Sequence, residues 1–548
     1  MSAAPLAERA ARHDALAPLR RLPAWTLTAL LALAYLLIAP QSPDLAAASY
    51  RSDLFGRVGF TIWDNSWYGG HHLPAYSLLA PALGAAIGPA LLAALSMVAA
   101  SALFEQAVAG PFPRRAARVG AFWFAFGAGI ALLSSRVPFD LGLAVALGSL
   151  VLAQRGRWAA AGALAALSSA ASPVAGAFLA LAAIAWALAL SERRSRARAG
   201  MLAVLALVPI GVLAVAFPEG GTQPFVASAF YPALAGVLAV GLILPPEQRT
   251  LRIGAGLYAL ALIGAYLAPS AVGGNADRLG AAVAGPLAAC ALLDASPRWR
   301  RWALLALAAP LTYWQVNAPL TDYKATWSNA SVHASYYRPL LAELRALGVG
   351  YGRRPARIEV VPTVTHWEAR YMAPAVMIAR GWERQLDRDR NALFYEPGGT
   401  NDTSYHEWLA DDAISYVALP DAPLDYSGKR EASLLHSRFV TGPGGYLREV
   451  WRSHHWRLFS VAGSQPLAER ASVLLAASTD SFVLRMPFPG TYSVRLRFTP
   501  YWALSSGTGC VEEGAGGWTS VRAARAETVR VAIDFSLGRV FDHGARCR

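Results

Sequence analysis

From residue 24 to residue 316 the chain is a succession of apolar runs separated by short polar breaks. The runs fall at about 24–40, 74–104, 119–133, 138–153, 158–171, 174–190, 200–217, 226–244, 253–269, 279–294 and 302–316. A helix needs roughly 20 apolar residues to cross a bilayer. The pattern therefore predicts about eleven transmembrane helices. The shorter runs leave room for a re-entrant segment, and Pro and Gly within 74–104 allow a kinked or split helix there.

Past residue 316 the period changes. "YKATWSNAS" reads as an extended link entering the helix "YYRPLLAELRAL". "ARIEVVPT" and "HWRLFSV" have strand composition, while "HWEARYMAPAVMIARGWERQLDRDRN" and "REASLLHSR" have helical periodicity. This alternation predicts a small α/β domain over 317–462. From 463 to 548, "SVLLAAST", "SFVLRMPFPGTYSVRLRFTPYW" and "TVRVAIDFSL" alternate apolar and polar positions around Pro-Gly turns, which predicts a β-sandwich.

Composition sharpens the contrast. The 548 residues are 55% hydrophobic and only 15% charged, where a globular chain has about a quarter charged. The net charge is +14. A basic balance can mark nucleic-acid binding, but here the arginines gather in the gaps between apolar runs, so topology accounts for them and nucleic acid is excluded as a partner. Lys is scarce and Arg and Ala abundant, as in chains from GC-rich bacterial genomes.

The gaps alternate in charge. Arg9, Arg12, Arg20 and Arg21 precede the first run. Arg114, Arg115 and Arg118 follow the second, and Arg155 and Arg157 the fourth. Arg193, Arg194, Arg196 and Arg198 follow the sixth, Arg249 and Arg252 the eighth, and Arg298, Arg300 and Arg301 the tenth. The remaining connections hold only Arg51, Arg57, Arg136 and Arg278. By the positive-inside rule, segment 1–23 lies in the cytoplasm, and loop 41–73 and everything after the last span lie outside a bacterial plasma membrane. The first run, lacking a small-residue cleavage site, reads as a signal anchor. Cys510 and Cys547 would share that oxidising exterior, where they can pair.

The first outer loop concentrates chemistry. "DLAAASYRSDLFGR" fits an amphipathic helix that Asp44 can cap, and "DNSWYGGHHLP" closes the loop. Asp44, Asp53 and Asp64 are candidate acceptors for a hydroxyl proton. Tyr50, Trp67 and Tyr68 offer ring faces to a sugar, and His71 and His72 offer hydrogen bonds to a phosphate. In a later outer loop, Arg278 stands alone beside Gly-Gly-Asn as a second phosphate candidate. His366, Glu368 and Arg370 sit at a strand-to-helix junction that can face the membrane half. Three carboxylates in one loop leave a divalent metal open as a cofactor, although no tight ligand spacing is present.

In order of parts and in the wording "PDLAAASY" then "WDNSWYGGHHLPAYSLLAP", the chain resembles the GT-C superfamily of membrane glycosyltransferases. The architecture is matched over 24–316 and the wording over 43–81. The resemblance implies transfer of a sugar from a polyprenyl-phosphate donor to an envelope glycan, lipid or protein at the outer face. Asp44 matches the acidic opener that serves as base, and His71 and His72 fall where some relatives hold phosphate. Leu45 stands where a second acid is common, which leaves Asp53 and Asp64 as rivals to Asp44. Two other classes fit the pattern: a transporter or flippase for a lipid-linked sugar, and a non-catalytic envelope assembly protein. The first wants polar residues inside the spans, which offer only Glu105, Asp140 and Asp294 near their ends.

Overall fold

The structure, a computed structural model, describes residues 22–352, 355–469, 472–541 and 547. Most of the expected cytoplasmic segment 1–23 lies outside the described residues.

The apolar runs are all helical: α1 (Trp25–Ile38), α2 (Pro43–Val58), α3 (Ala80–Ile87), α4 (Pro89–Ala109), α5 (Arg114–Ala131), α6 (Val137–Gln154), α7 (Trp158–Ala171), α8 (Pro173–Ala189), α9 (Arg193–Ala216), α10 (Ala227–Ile243), α11 (Arg249–Leu267), α12 (Arg278–Leu292) and α13 (Trp299–Thr326). Among the described residues, four of these, α4, α6, α9 and α11, are by themselves long and apolar enough to cross a membrane, or up to five crossings if the bent pair α1–α2 makes one. The run at 74–104 is divided: Gly88, at φ 86°, ends α3 and Pro89 starts α4, the residue types favoured past a helix end and at a helix start.

The two sets of connections segregate to opposite ends of the bundle. At the arginine-rich end, Arg155 donates to Gln106 (2.6 Å) and Arg115 lies 3.7 Å from Asp294. At the other, the Ser42 hydroxyl donates to the Ser134 carbonyl (2.7 Å), and backbone N–H groups of Leu78 and Gln223 reach Ala170 and Ser270 (2.9 Å each). The large C-terminal part packs on this arginine-poor end.

α13 continues as helix into the first residues of the stretch expected to be an extended link, ending at Thr326. Leu311, Gln315, Pro319 and Thr326 are buried at helical spacing along it, so one face stays packed beyond the apolar run and carries the helix outward. After α14 (Ala334–Ala346) comes a five-stranded sheet in the order β4-β3-β5-β7-β6. Its strands are β3 (Arg357–Val360), β4 (Met377–Ile378), β5 (Ile414–Pro420), β6 (Leu447–Arg452) and β7 (Trp456–Val461). β3 is parallel to β4 and β5, and β7 is antiparallel to β5 and β6. The expected long helix around 366–390 is instead two short ones, Glu368–Tyr371 and Arg384–Arg390, separated by β4. Pro374 cannot continue a helix, and Met377 and Ile378 are fully buried beside β3.

The last part is two antiparallel sheets. β8 (Val473–Ala477), β9 (Ser481–Met486), β14 (Glu527–Ile533) and β11 (Trp502–Ser506) form one; β10 (Gly490–Arg497), β13 (Trp518–Ala523) and β12 (Cys510–Glu513) form the other. Phe482, Leu484, Val494, Leu496, Val521, Val529 and Val531 fill the space between them. Leu213, Ala216 and Phe217, at the end of α9, join the same core, and Cys510 is disulfide-bonded to Cys547.

Candidate functional site

The loop "DNSWYGGHH" folds as a small hairpin, with β1 (Trp63–Asp64) opposite β2 (His71–His72). Gly69 and Gly70 turn it at φ 75° and 129°, and a Cβ at Gly70 would sit 2.3 Å from the Trp63 ring. Only glycine satisfies both demands. The hairpin is clasped by every part of the chain. Asn65 N–H donates to Thr479 O of the sandwich (2.8 Å), Ile378 N–H to Ser66 O (2.9 Å) and Arg497 N–H to Gly69 O (2.7 Å).

Its side chains are correspondingly committed. Asp64 accepts the Tyr50 hydroxyl (2.7 Å) and the Ser66 N–H (2.9 Å). Trp67 is flanked by Tyr50 and His71, with ring centroids at 4.6 and 5.4 Å. The Tyr68 hydroxyl accepts the Glu383 N–H (2.9 Å), and Arg51 pairs with the Glu383 carboxylate (2.6 Å). His71 Nδ1 lies 3.2 Å from the Asp64 carbonyl; a carbonyl only accepts, so this nitrogen carries the proton. Burial holds the His71 pKa below its ordinary value against the pull of Asp64, and the ring is neutral. His72 Nδ1 meets Glu219 at 2.8 Å and its Nε2 meets Thr499 Oγ1 at 3.0 Å. Tyr50, Asp64, Trp67, Tyr68, His71 and His72 are all at most 5% exposed. They make a joint between domains.

Asp53 lies apart, on the outer face of α2, where its carboxylate takes the Arg370 Nε–H at 3.0 Å. Asp44 lies elsewhere again. Ser42, not Asp44, caps α2, accepting the Leu45 N–H at 3.2 Å, and the chain bends by 77° between α1 and α2. Freed from capping, Asp44 occupies the first turn of α2. One oxygen, Oδ2, faces Arg136 Nε at 3.3 Å; Oδ1 has no hydrogen bond among the described residues.

Asp44, Arg136 and Arg278 line one cavity of about 390 Å³ between the arginine-poor ends of the helices and the C-terminal part. Its membrane side also carries Tyr76, Gln223 and Asn275; its roof is the segment Trp382 to Gln385. Arg136, the residue before α6, is anchored toward Asp322 as well (3.9 Å), and Asp322 accepts the Ser134 hydroxyl (2.5 Å). Burial weighs against the Arg136 cation, but Asp44 and Asp322 outweigh it and hold its pKa above the usual value. Arg278 opens α12. It sits over the Phe139 ring at 5.5 Å and, among the described residues, makes no hydrogen bond or ion pair. It is thus a cation facing the cavity with its donors uncommitted.

A second cavity, of about 360 Å³, adjoins the first and shares Arg136, Phe139, Gln223, Asn275 and Arg278. Beyond those residues it is walled by Met97, Phe124, Leu143, Phe225 and Trp314, with Asp140, Asp277 and Gln315 as its other polar groups. The roof is rigid. His366 stacks flat on Trp382 (3.6 Å between centroids, 5° between planes) and lies between Glu368 (3.4 Å) and Asp425 (3.5 Å). Burial opposes its protonation, but the two carboxylates prevail and raise its pKa. Arg384 grips Asp425 with two bonds, at 2.7 and 2.8 Å.

The three loop carboxylates do not converge, each being tied to a different partner, and among the described residues no three His, Cys, Asp or Glu side chains form a metal-ligand set. Among the described residues, these donors do not fit a metal centre. Arg136 and the roof segment of the cavity, and Asp322, which pairs with Arg136, were not anticipated as site residues. Arg136 is visible as an arginine on the arginine-poor side. Asp322 is in helical phase with Gln315. Trp382 and its neighbours carry no sequence signal, because a fold spanning more than 300 residues brings them over Asp44.

No protein-family model matches the chain, and no curated protein matches it. Among solved structures it is similar to the arabinofuranosyltransferase AftD from mycobacteria, with TM-score 0.41 and 15% identity, over 85% of this chain and 41% of that one. A mutant of the same enzyme gives 0.44 and 16%, over 85% and 42%. The archaeal oligosaccharyltransferase AglB from Archaeoglobus fulgidus, in complex with an inhibitory peptide and a dolichol-phosphate, gives 0.34 and 13%, over 72% and 69%. The chain spans about two fifths of the length of AftD.

Proposed function

We propose that the chain is a membrane glycosyltransferase that moves a sugar from a polyprenyl-phosphate donor to an envelope glycan, lipid or protein, at the outer face of a bacterial plasma membrane. The observation that carries this reading is the pairing of cavities. A polar chamber holding a carboxylate and two arginines adjoins a second chamber among the helices, whose polar groups gather with Arg136 and Arg278 and whose other walls are apolar. A ligand that is charged at one end and hydrocarbon at the other fits both at once.

Asp44 is the base. It takes the proton of an acceptor hydroxyl through Oδ1 while Arg136 holds Oδ2. The acceptor oxygen bonds to the anomeric carbon, the carbon–phosphate oxygen bond breaks, and the anomeric configuration inverts. Arg278, with Arg136 beside it, stabilises the negative charge that gathers on the departing phosphate. The hairpin residues position rather than react: Tyr68, together with Arg51 of α2, holds Glu383, and with it the roof, over Asp44.

The outer-face assignment rests on the arginine alternation and on the Cys510–Cys547 disulfide, a bond that persists in oxidising compartments. Purified protein in lipid nanodiscs, supplied with polyprenyl-phosphate sugars and envelope acceptors, provides the test. Asp44→Asn is expected to lose about 100-fold or more in transfer rate while still binding donor. Full transfer by Asp44→Asn would remove Asp44 as base, full transfer by Asp44→Asn, Asp53→Asn and Asp64→Asn alike would remove this loop as the acid–base site, and no transfer by the parent protein would favour a carrier or assembly protein.

A further inference from the structure

We infer that the segment from Phe535 to Phe541 is a second membrane contact, a foot by which the β-sandwich rests in the outer leaflet beside α9. After β14, Phe535 stacks on Phe217 at the end of α9 (5.9 Å) and packs against Tyr501 (5.3 Å). The Tyr501 hydroxyl donates to the Ala216 carbonyl, so the sandwich is fastened to the helix terminus itself. The short helix Leu537–Phe541 follows. Its orientation is fixed from within: Val540 is buried, and Arg539 donates to the Trp502 carbonyl (3.0 Å) and pairs with Asp534 (3.1 Å).

That orientation turns the large apolar side chains outward. Phe535, Leu537 and Phe541 are 48%, 75% and 77% exposed. Leu537 and Phe541 are four residues apart and share a helix face. Through Phe535 and Phe217 the patch adjoins the end of α9, a 24-residue helix long and apolar enough to span, along which Val208, Val212 and Val215 are more than half exposed. A rigidly held apolar patch that extends a lipid-facing helix past its end suits the headgroup–acyl boundary of the bilayer. A lipid surface is therefore its partner.

The experiment uses the full chain in vesicles of phosphatidylcholine and phosphatidylglycerol. Leu537→Cys and, separately, Phe541→Cys are made on a Cys290→Ala background and labelled with an environment-sensitive nitrobenzoxadiazole probe. Ala524→Cys, exposed at the opposite end of β14, serves as the aqueous reference. Blue-shifted emission at 537 and 541, quenched more by lipids spin-labelled high in the acyl chain than by those labelled at its end, is the expected result. Emission matching the 524 probe would overturn the inference. So would a blue shift that spin-labelled lipids do not quench, which would mean that protein, such as a second copy of the chain, covers the patch.

Discussion

At the scale of residues, Arg278 and Gly70 make opposite demands. Arg278 has no bond to lose, so Arg278→Gln should leave the melting temperature nearly unchanged. A hydrogen bond to a charged group contributes about 1.5–3 kcal/mol, so donor KM should rise ~10- to 100-fold. A titration of donor against transfer rate, with a melting curve beside it, checks both halves. Gly70→Ala should do the reverse. The new methyl meets the Trp63 ring in a backbone conformation unsuited to alanine, and a loss of about 3 kcal/mol, the upper range for single substitutions, is expected. Thermal unfolding in detergent should show it as a lowered midpoint. Of the loop residues singled out by composition, Asp44 alone reached the cavity, and Arg278 joined it from another loop. The histidines and aromatics of the quoted loop drew notice because they are polar and crowded, and they proved buried. A sequence shows that such residues need partners; whether the partner is a ligand or another domain depends on the fold.

At the scale of elements, the α/β sheet carries an unusual interior charge. Arg380 on the segment after β4 lies near Glu359 of β3 (4.0 Å) and Glu431 (3.7 Å), and binds Asp387 at 2.7 Å. Glu359 has no hydrogen bond to either oxygen. One arginine cannot neutralise three buried carboxylates, and burial raises the pKa of both glutamates, Glu431 to about 7. Their folded pKa values lie above the unfolded 4.5, so their contribution is complete below pH 4.5 and is lost as pH rises toward 7 and beyond. Glu431→Gln keeps an oxygen for the Tyr405 hydroxyl (2.8 Å) and has no proton to lose. It should therefore be stabilised relative to the parent at pH 8 but not at pH 5, as melting midpoints at the two values would show. Helix positions within the membrane half were readable because one period governs each run. The element boundaries at 88 and 374 were not placed in advance, although Gly-Pro and Pro mark them.

For the whole molecule, sidedness is the decisive property. Ala197 lies among the arginines at the start of α9, and Ala524 lies in the sandwich. On a Cys290→Ala background, a membrane-impermeant maleimide applied to intact cells should label Ala524→Cys and leave Ala197→Cys unlabelled until the cells are opened. The reverse pattern would place the Asp44 cavity in the cytoplasm. The charge alternation foretold the gathering of arginine-poor connections at one end, where they meet the C-terminal part. The count of crossings was less legible, because helices shorter than 18 residues cross only where the bilayer thins or flanking residues and neighbouring helices help, which hydropathy does not record.

The clasped hairpin has a consequence for how the chain comes apart. Cut after Thr326, the outer portion would leave behind the strand edge that Ile378 and Arg497 bind and the indole that Gly381 closes over. The inner portion would keep Trp63 without Trp502 and Trp67 without the cover of Gly381. Neither fragment should behave as a free-standing unit, and the boundary that hydropathy draws so sharply at residue 316 is not a seam along which the protein can be divided.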